Sequence, residues 1–404
     1  MKRVFLALAL MVFGILALGQ VTISFWHAMS GAHGDALAYL VQKFQEENPG
    51  IVVDLVYQGG YGALQQKLVA AVAAGQPPTI AQQYENWTVT WLDALVDLDL
   101  FLPEELLDDI LPQFRQVFDG RIVTVPFNKS ILIFYYRPDL VPEPPRTWEE
   151  FEAIACALAK DIDGDGELDQ FGTAFRPPNP EIFLTFLAQA GGDILSPDWK
   201  EVIINNEAGI EAAEFAARLA KCALIQTAYI SSAIQKGIPI GGWIDTSAGY
   251  PYNIAAAKAA GVPLSVAPVP CYKNCASMIQ GTNLAIFGLN QSRAQVEAAA
   301  KLIGFLLRED NIVYWAKETG YLPVTKTAIY GELWQDFIAK HPERKVMTDQ
   351  LLAGGFGQLL HPRYMEIRGA LITFWELLLK GEGTPKELLD ALALEIESII
   401  REEG

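Results

Sequence analysis

Residues 21–74 read VTISFWHAMS GAHGDALAYL VQKFQEENPG IVVDLVYQGG YGALQQKLVA AVAA. A strand-like run over 21–26 gives way to an amphipathic helical pattern over 36–47, then a second β run over 51–57 and a second helix over 61–74. Alternation of this kind specifies an α/β protein. Ordinary helix punctuation continues along the chain: Thr147 with Glu150, and Thr384 with Pro385 and Glu387, match the capping box. There is no internal repeat, no low-complexity tract and little linker-like sequence. Two apolar runs, 130–136 and 284–289, each lead into helical segments that look like the start of a new lobe. Read as crossings, they make both lobes discontinuous: 20–130 with 281–325, and 131–280 with most of the helices of 326–404. A cleft between such lobes closes by hinge bending around a ligand.

The first residues address the compartment. Lys2 and Arg3 precede an almost wholly apolar run over 4–18, and Ala17 and Gly19 supply small residues for a cut before Gln20. The run is short of the roughly 20 residues that span a bilayer, and polar sequence follows at once. The expectation is a cleaved signal peptide over 1–19, no lipid-bearing cysteine at the cut, and a protein free in a bacterial periplasm. About 385 residues remain, enough for one large protein of two domains. Removing Lys2 and Arg3 takes the formal charge from −18 to −20, which repels nucleic acid and anionic lipid at long range. A monomer without a nucleic-acid partner is expected. A phosphorylated ligand is not excluded, because a few local donors decide its binding.

Four cysteines follow the leader: Cys156, Cys222, Cys271 and Cys275. In an oxidising compartment the loop Cys271-Tyr-Lys-Asn-Cys275 could close locally and leave Cys156 to Cys222; alternatively all four are small buried apolar groups. No second close-spaced cysteine pair and no histidine cluster accompanies the loop, which argues against zinc.

The search for catalytic motifs returns little. Four histidines (His27, His33, His341, His361) form no His-Glu-x-x-His pattern, and there is no Gly-x-Ser-x-Gly elbow, phosphate loop or dinucleotide fingerprint. A glycosidase needs only two carboxylates, so an exported hydrolase of glycans or phosphodiesters stays open as a minority reading. The sharpest local motif is Asp161-Ile-Asp163-Gly-Asp165-Gly-Glu167-Leu-Asp169. Carboxylates at loop positions 1, 3, 5 and 9, a glycine at 6, and Glu167 where a backbone carbonyl ligates describe a structural calcium loop. The pattern departs from an EF-hand at position 12, which is Gly172; the alternative is a solvated acidic turn.

Aromatic residues stand near strand ends and turns, among them Trp26, Tyr57, Tyr61, Tyr84, Trp243, Tyr321 and Tyr364. As a population beside Gly, Ser, Asn and Asp they favour a cleft for a polar ligand, with flat faces for a sugar or a quaternary ammonium group. Each alone is more often core.

In order, Trp26-His27-Ala28-Met29-Ser30-Gly31, Tyr57-Gln58-Gly59-Gly60-Tyr61, Gln83-Tyr84-Glu85, Pro126-Phe127-Asn128-Lys129-Ser130, Thr319-Gly320-Tyr321-Leu322-Pro323 and Ile367-Arg368 resemble the glycerol-3-phosphate-binding proteins of bacterial ABC importers over essentially the whole mature chain. The resemblance implies the two-lobe periplasmic-binding-protein fold of type II, with the ligand in the cleft, no enzymatic activity, and membrane permease subunits as partners. It places Trp26, His27, Tyr61, Tyr84 and Glu85 on the first lobe, with Tyr61 and Glu85 toward the glycerol. Ser130 falls at the first crossing, Ser247 or its neighbour Thr246 on the second lobe, and Gly281, Tyr321 and Arg368 around the phosphate; Trp243 is a further candidate on the strength of its aromatic face alone. A guanidinium fork, a phenol, a hydroxyl and a backbone N–H suit phosphate oxygens.

Two departures from the family pattern bear on the ligand. Gln280-Gly281-Thr282-Asn283 replaces paired glycines, and the segment 175–183 lacks the tryptophan that often covers a small ligand there. The extra room points to a glycerophosphodiester such as glycerophosphocholine over bare glycerol-3-phosphate, with Glu85 or Glu181 as partner for the choline cation. An oligosaccharide-binding relative is the alternative within the same architecture.

Overall fold

The computed structural model of the chain describes residues 20–401, so the expected leader over 1–19 and its cleavage site lie outside the described residues. The opening alternation forms as read. Strand β1 (Val21–His27) is joined by the helix Gly31–Glu47 to β2 (Ile51–Tyr57), which lies parallel to it, as a helical crossover requires. The helix Tyr61–Ala73 then leads to β3 (Ile80–Gln83), parallel to β1 on its other side. Helix Gly31–Glu47 turns Ala36, Leu37, Leu40, Val41 and Phe44 inward, the spacing of one apolar face.

The long strand β4 (Thr124–Tyr136) is buried from its first residue to its twelfth, because helices cover both of its faces. After it come β5 (Thr173–Phe175) and β6 (Ala223–Ile225), a parallel pair of their own, then β7 (Gly242–Thr246), β8 (Ser265–Ala267), β9 (Ser277–Ile286) and β10 (Gly355–Phe356). The main sheet runs β2-β1-β3-β9-β4-β7, with β8 on β4 and β10 on β9. β9 is antiparallel to β3 at one end and to β4 along its length; β4 continues beyond it to pair with β7. Thus β4 and β9 each run through both lobes and are hydrogen-bonded to one another where they cross.

The expected crossing over 130–136 lies within β4. The second, expected over 284–289, belongs to β9, whose paired residues begin seven positions earlier at Ser277. Apolar periodicity missed this half because it is polar yet internally satisfied: Thr282 Oγ1 donates to Asn128 Oδ1 at 2.6 Å, and Asn283 Nδ2 to Thr124 Oγ1 at 2.9 Å. Gly281 has φ +100°, and a Cβ there would lie 1.8 Å from the Asn128 carbonyl oxygen, beside a register shift between Pro126 and Asn128. A bulge in the crossing pair therefore demands glycine.

The stretch 326–404 divides between the lobes. Lys326 and Thr327 hydrogen-bond to Asp108 and Asp109 of the first lobe, whereas helices Tyr364–Lys380 and Pro385–Arg401 pack with Glu207–Ala220 of the second. The lobes also abut at Gly320 (φ +81°), where a Cβ would stand 2.6 Å from the carbonyl oxygen of Ser247. Disulfides join Cys156 to Cys222 and Cys271 to Cys275, one of the arrangements left open by the sequence. Among the described residues no helix is long and apolar enough to cross a membrane.

Candidate functional site

A cleft of about 820 Å³ lies between the lobes. Its first-lobe wall is made by the turns that follow the carboxyl ends of β1, β2 and β3, the usual place for a ligand in an open α/β sheet. The crossing strands supply its floor through Ser130, Gln280 and Gly281, with Tyr321 alongside. The second-lobe wall comes from the loop before the helix Glu181–Gln189, from the end of β7, and from the first turn or so of Tyr364–Lys380. Side chains bridge the lobes at two places on the rim. Tyr252 donates its hydroxyl to the Ser30 carbonyl at 3.4 Å; elsewhere Asn86 Nδ2 donates to Gln358 Oε1 at 2.9 Å and Trp87 Nε1 points to Met365 Sδ at 3.3 Å.

Arg368 stands one turn into its helix and faces the cleft. Its Nε donates to Glu181 Oε1 at 2.7 Å and its Nη2 to the Pro178 carbonyl at 3.2 Å, which leaves Nη1 without a partner among the described residues. Burial opposes the guanidinium charge, and the adjoining Glu181 carboxylate more than restores it, so the group stays cationic. Glu181 is 3% exposed, and its Oε2 is buried with no hydrogen-bond partner.

Tyr61, Tyr84 and Tyr321 gather on the first-lobe side. The Tyr61 hydroxyl accepts from Asn128 Nδ2 at 3.0 Å, and the Tyr61 and Tyr84 rings are 4.9 Å apart. Burial raises the pKa of all three phenols, so they remain hydrogen-bond donors at neutral pH. Ser130 Oγ accepts from Thr246 Oγ1 at 2.8 Å, and both line the cleft.

Of the expected site residues, then, the fold brings Tyr61, Tyr84, Ser130, Glu181, Thr246, Gly281, Tyr321 and Arg368 to one cleft. The others fall elsewhere, for physical reasons. Trp243 is core: it pairs with Tyr135 across β4 and β7, its ring stacks on that phenol at 5.3 Å, and it is 0% exposed. Ser247 turns beneath Thr246, where its Oγ accepts from the Ile131 N–H at 3.3 Å. Trp26 and His27 stand behind the lining turn Ala28–Gly31; the His27 Nδ1 accepts from the Met29 N–H at 3.2 Å, and burial pushes this imidazole down to about 4. Glu85 is committed to Lys129, with Nζ to Oε1 at 2.5 Å, both side chains nearly sealed from solvent and off the cleft surface.

Residues that sequence reasoning did not single out also line the cleft, notably Arg176, Tyr229, Asp245 and Tyr252. Arg176 lies in the very segment noted for its missing tryptophan, and Asp245 immediately precedes Thr246, so a search one residue either side of the named positions would have met both. The cleft lining carries two guanidiniums, Arg176 and Arg368, against two carboxylates, Glu181 and Asp245, a formal balance of zero.

The acidic loop lies outside this cleft. Ligand atoms of Asp161, Asp163 and Asp169 lie within 4.8 Å of one another, and all three residues are exposed. Asp165 and Glu167 are not part of that group; Asp165 Oδ1 instead accepts the Glu167 N–H at 2.8 Å. Asp161 caps the turn by accepting from the N–H groups of Gly164 and Gly166 at 2.6 and 2.9 Å. A glutamate could not stand at Gly172, since even a Cβ there would come within 1.8 Å of the Ala155 carbonyl oxygen. The loop thus gathers three carboxylates but lacks the bidentate twelfth ligand of an EF-hand.

Two discontinuous α/β lobes, joined by paired crossing strands on either side of a tyrosine-lined cleft, define a two-lobe ligand-binding protein. Residues 39–345 match the model of the bacterial extracellular solute-binding proteins, and the chain belongs to that family. The sn-glycerol-3-phosphate-binding periplasmic protein UgpB of Salmonella typhimurium is 26% identical over 414 residues, spanning 93% of this chain and 91% of its own. UgpB of Shigella flexneri is likewise 26% identical over 422 residues, 95% and 93% of the two chains. Among solved structures, UgpB of Mycobacterium tuberculosis in complex with glycerophosphocholine superposes with a TM-score of 0.80 at 19% identity, over 95% of this chain and 100% of that one. The maltose/maltodextrin-binding domain MalE of Bdellovibrio bacteriovorus, bound to maltotriose, gives 0.80 at 22% identity over 94% and 100%. At such identities the structural matches establish the fold; the named relatives agree with the resemblance read from the motifs.

Proposed function

We propose that the protein is the substrate-binding component of an ABC importer, that it captures sn-glycerol-3-phosphate or a glycerophosphodiester such as glycerophosphocholine in the periplasm, and that it hands this ligand to membrane permease subunits. The observation that carries the ligand class is Arg368, held by Glu181 and the Pro178 carbonyl, with Nη1 unpaired among the described residues, in the lining of a cleft shared with Tyr84 and Tyr321. A fixed fork with a spare donor, beside protonated phenols, is a phosphate receptor. The names of the UgpB relatives support the same class.

Calorimetric titration tests it. Glycerol-3-phosphate or glycerophosphocholine is expected to bind one to one without release of choline, and Arg368→Ala is expected to weaken that binding at least about 100-fold, roughly 3 kcal/mol. Unchanged affinity in the variant overturns the assignment, and released choline would make the protein a hydrolase. A second reading, an oligosaccharide carrier, draws on the exposed aromatic lining and on the maltotriose-bound neighbour. Tight binding of maltotriose that survives Arg368→Ala would favour it.

A further inference from the structure

Asp245 is a carboxylate the phosphate site does not explain. It stands near the end of β7, lines the cleft, and is 8% exposed. Its Oδ1 accepts the N–H of Thr246 at 2.8 Å, a bond within its own turn, and Oδ2 has no hydrogen-bond partner among the described residues. No lysine, arginine or histidine forms an ion pair with it there. The cation that acts on it electrostatically, Arg176, is spent elsewhere: its Nε and Nη2 donate to the carbonyls of Thr227 and Ala228, and its guanidinium lies 4.1 Å from the ring centre of Tyr229. A carboxylate nine-tenths buried without a counter-ion is costly unless something arrives to pair with it. Burial accordingly pushes its carboxyl above the usual range, and a cation beside it would hold it ionised.

The surroundings state what would arrive. Tyr57 and Tyr252 also line the cleft and remain more than one-third exposed, so ring surface is open to a ligand there, whereas the Tyr229 ring is already taken by Arg176. Phenol faces attract a diffuse cation, above all a quaternary ammonium. The lining is formally neutral, so it matches a zwitterion better than a dianion. We infer that Asp245 is the receptor for the cationic head group of the ligand, and that it tunes the cleft to zwitterionic phosphodiesters against the dianionic phosphomonoester. This rests on the phosphate assignment of Arg368 and adds to it the residue that selects among phosphorylated ligands.

The isosteric Asp245→Asn variant tests the inference, with folding checked by its melting temperature. Glycerophosphocholine, glycerophosphoglycerol (a diester with an uncharged head group) and glycerol-3-phosphate are titrated into wild type and variant. Wild type is expected to prefer glycerophosphocholine. In the variant its affinity falls at least tenfold, that of the neutral diester changes little, and that of glycerol-3-phosphate rises severalfold as a nearby negative charge is removed. An unchanged preference overturns the inference, as does an equal loss for all three ligands, which would make Asp245 a framework residue. A wild-type protein that binds none of the three fails one step earlier: it removes the phosphate assignment and this inference with it.

Discussion

Lys129 shows how a single side chain can serve the site without touching it. It sits on β4 at 1% exposure, and its ammonium faces Glu85, two residues past the end of β3, so two charges are sealed together behind the first-lobe wall. Lys129→Met is expected to destabilise the fold by about 3–5 kcal/mol, because it leaves Glu85 buried and unpaired; adding Glu85→Gln should recover much of the loss. Urea unfolding of the wild type and the two variants checks the sign and the recovery. At this scale the sequence was partly legible. Arg368 and the three tyrosines were found because their chemistry is specific and the motif order placed them; Glu181 was named only as a carboxylate for the ligand's cation, and the cation it holds is Arg368. Glu85 was named for its carboxylate, but its partner decides what that carboxylate does, and a partner 44 residues away shows in no local pattern. Trp243 was misplaced because an aromatic on a strand can face either side; only the pairing with β4 puts it beside Tyr135 in the core.

Among the elements, those built from local signals were the easiest to read. The capping of Trp148–Leu158 by Thr147 formed as expected, with the hydroxyl accepting from the Glu150 N–H. The first βαβ unit also formed within a few residues of its expected bounds. β9 was half hidden because its polar half finds partners on β4 instead of in water. The acidic loop is an element whose spacing was plain and whose occupancy is a matter for measurement. Calcium added to chelator-treated protein is expected to raise the melting temperature by a few degrees, with Asp163→Asn reducing the effect, since at least three carboxylates must share the ion. No shift at millimolar calcium would leave a solvated acidic turn. The Gly172 contact with Ala155 explains why affinity should be modest.

At the scale of the whole molecule, acid and hinge set the behaviour. Burial lowers the pKa of His27 to about 4 and also lowers that of His33, against an ordinary 6.5. The unfolded chain therefore takes up protons first as the pH falls. Their contribution to stability is full above pH 6.5 and is lost on acidification through about pH 4, and His27→Leu is expected to flatten that part of a stability-against-pH curve. The rim contacts between Asn86 and Gln358 and between Tyr252 and Ser30 are single hydrogen bonds, each contributing about 0.5–1.5 kcal/mol. Asn86→Ala is expected to weaken glycerophosphocholine and glycerol-3-phosphate by the same factor, up to about tenfold, because it acts on closure and not on recognition. A change in their ratio, read by titration, would place Asn86 in the ligand's own contacts. The two-lobe plan was foreseeable from alternation and two apolar runs; the joining of both crossings into one hydrogen-bonded pair was not, because it is a long-range pairing.

The abutment of Gly320 on Ser247 has a mechanical consequence. Where the two jaws meet at Gly320, any side chain would collide with the Ser247 carbonyl and crowd the Pro251 ring, so the fit depends on glycine and has no slack. A bulkier cargo cannot be accommodated by softening this contact, so such a chain must widen its mouth by trimming the walls. The segment 175–183, which lines the wall through Arg176, Pro178, Asn179 and Glu181 and contains no tryptophan, is slim in that way.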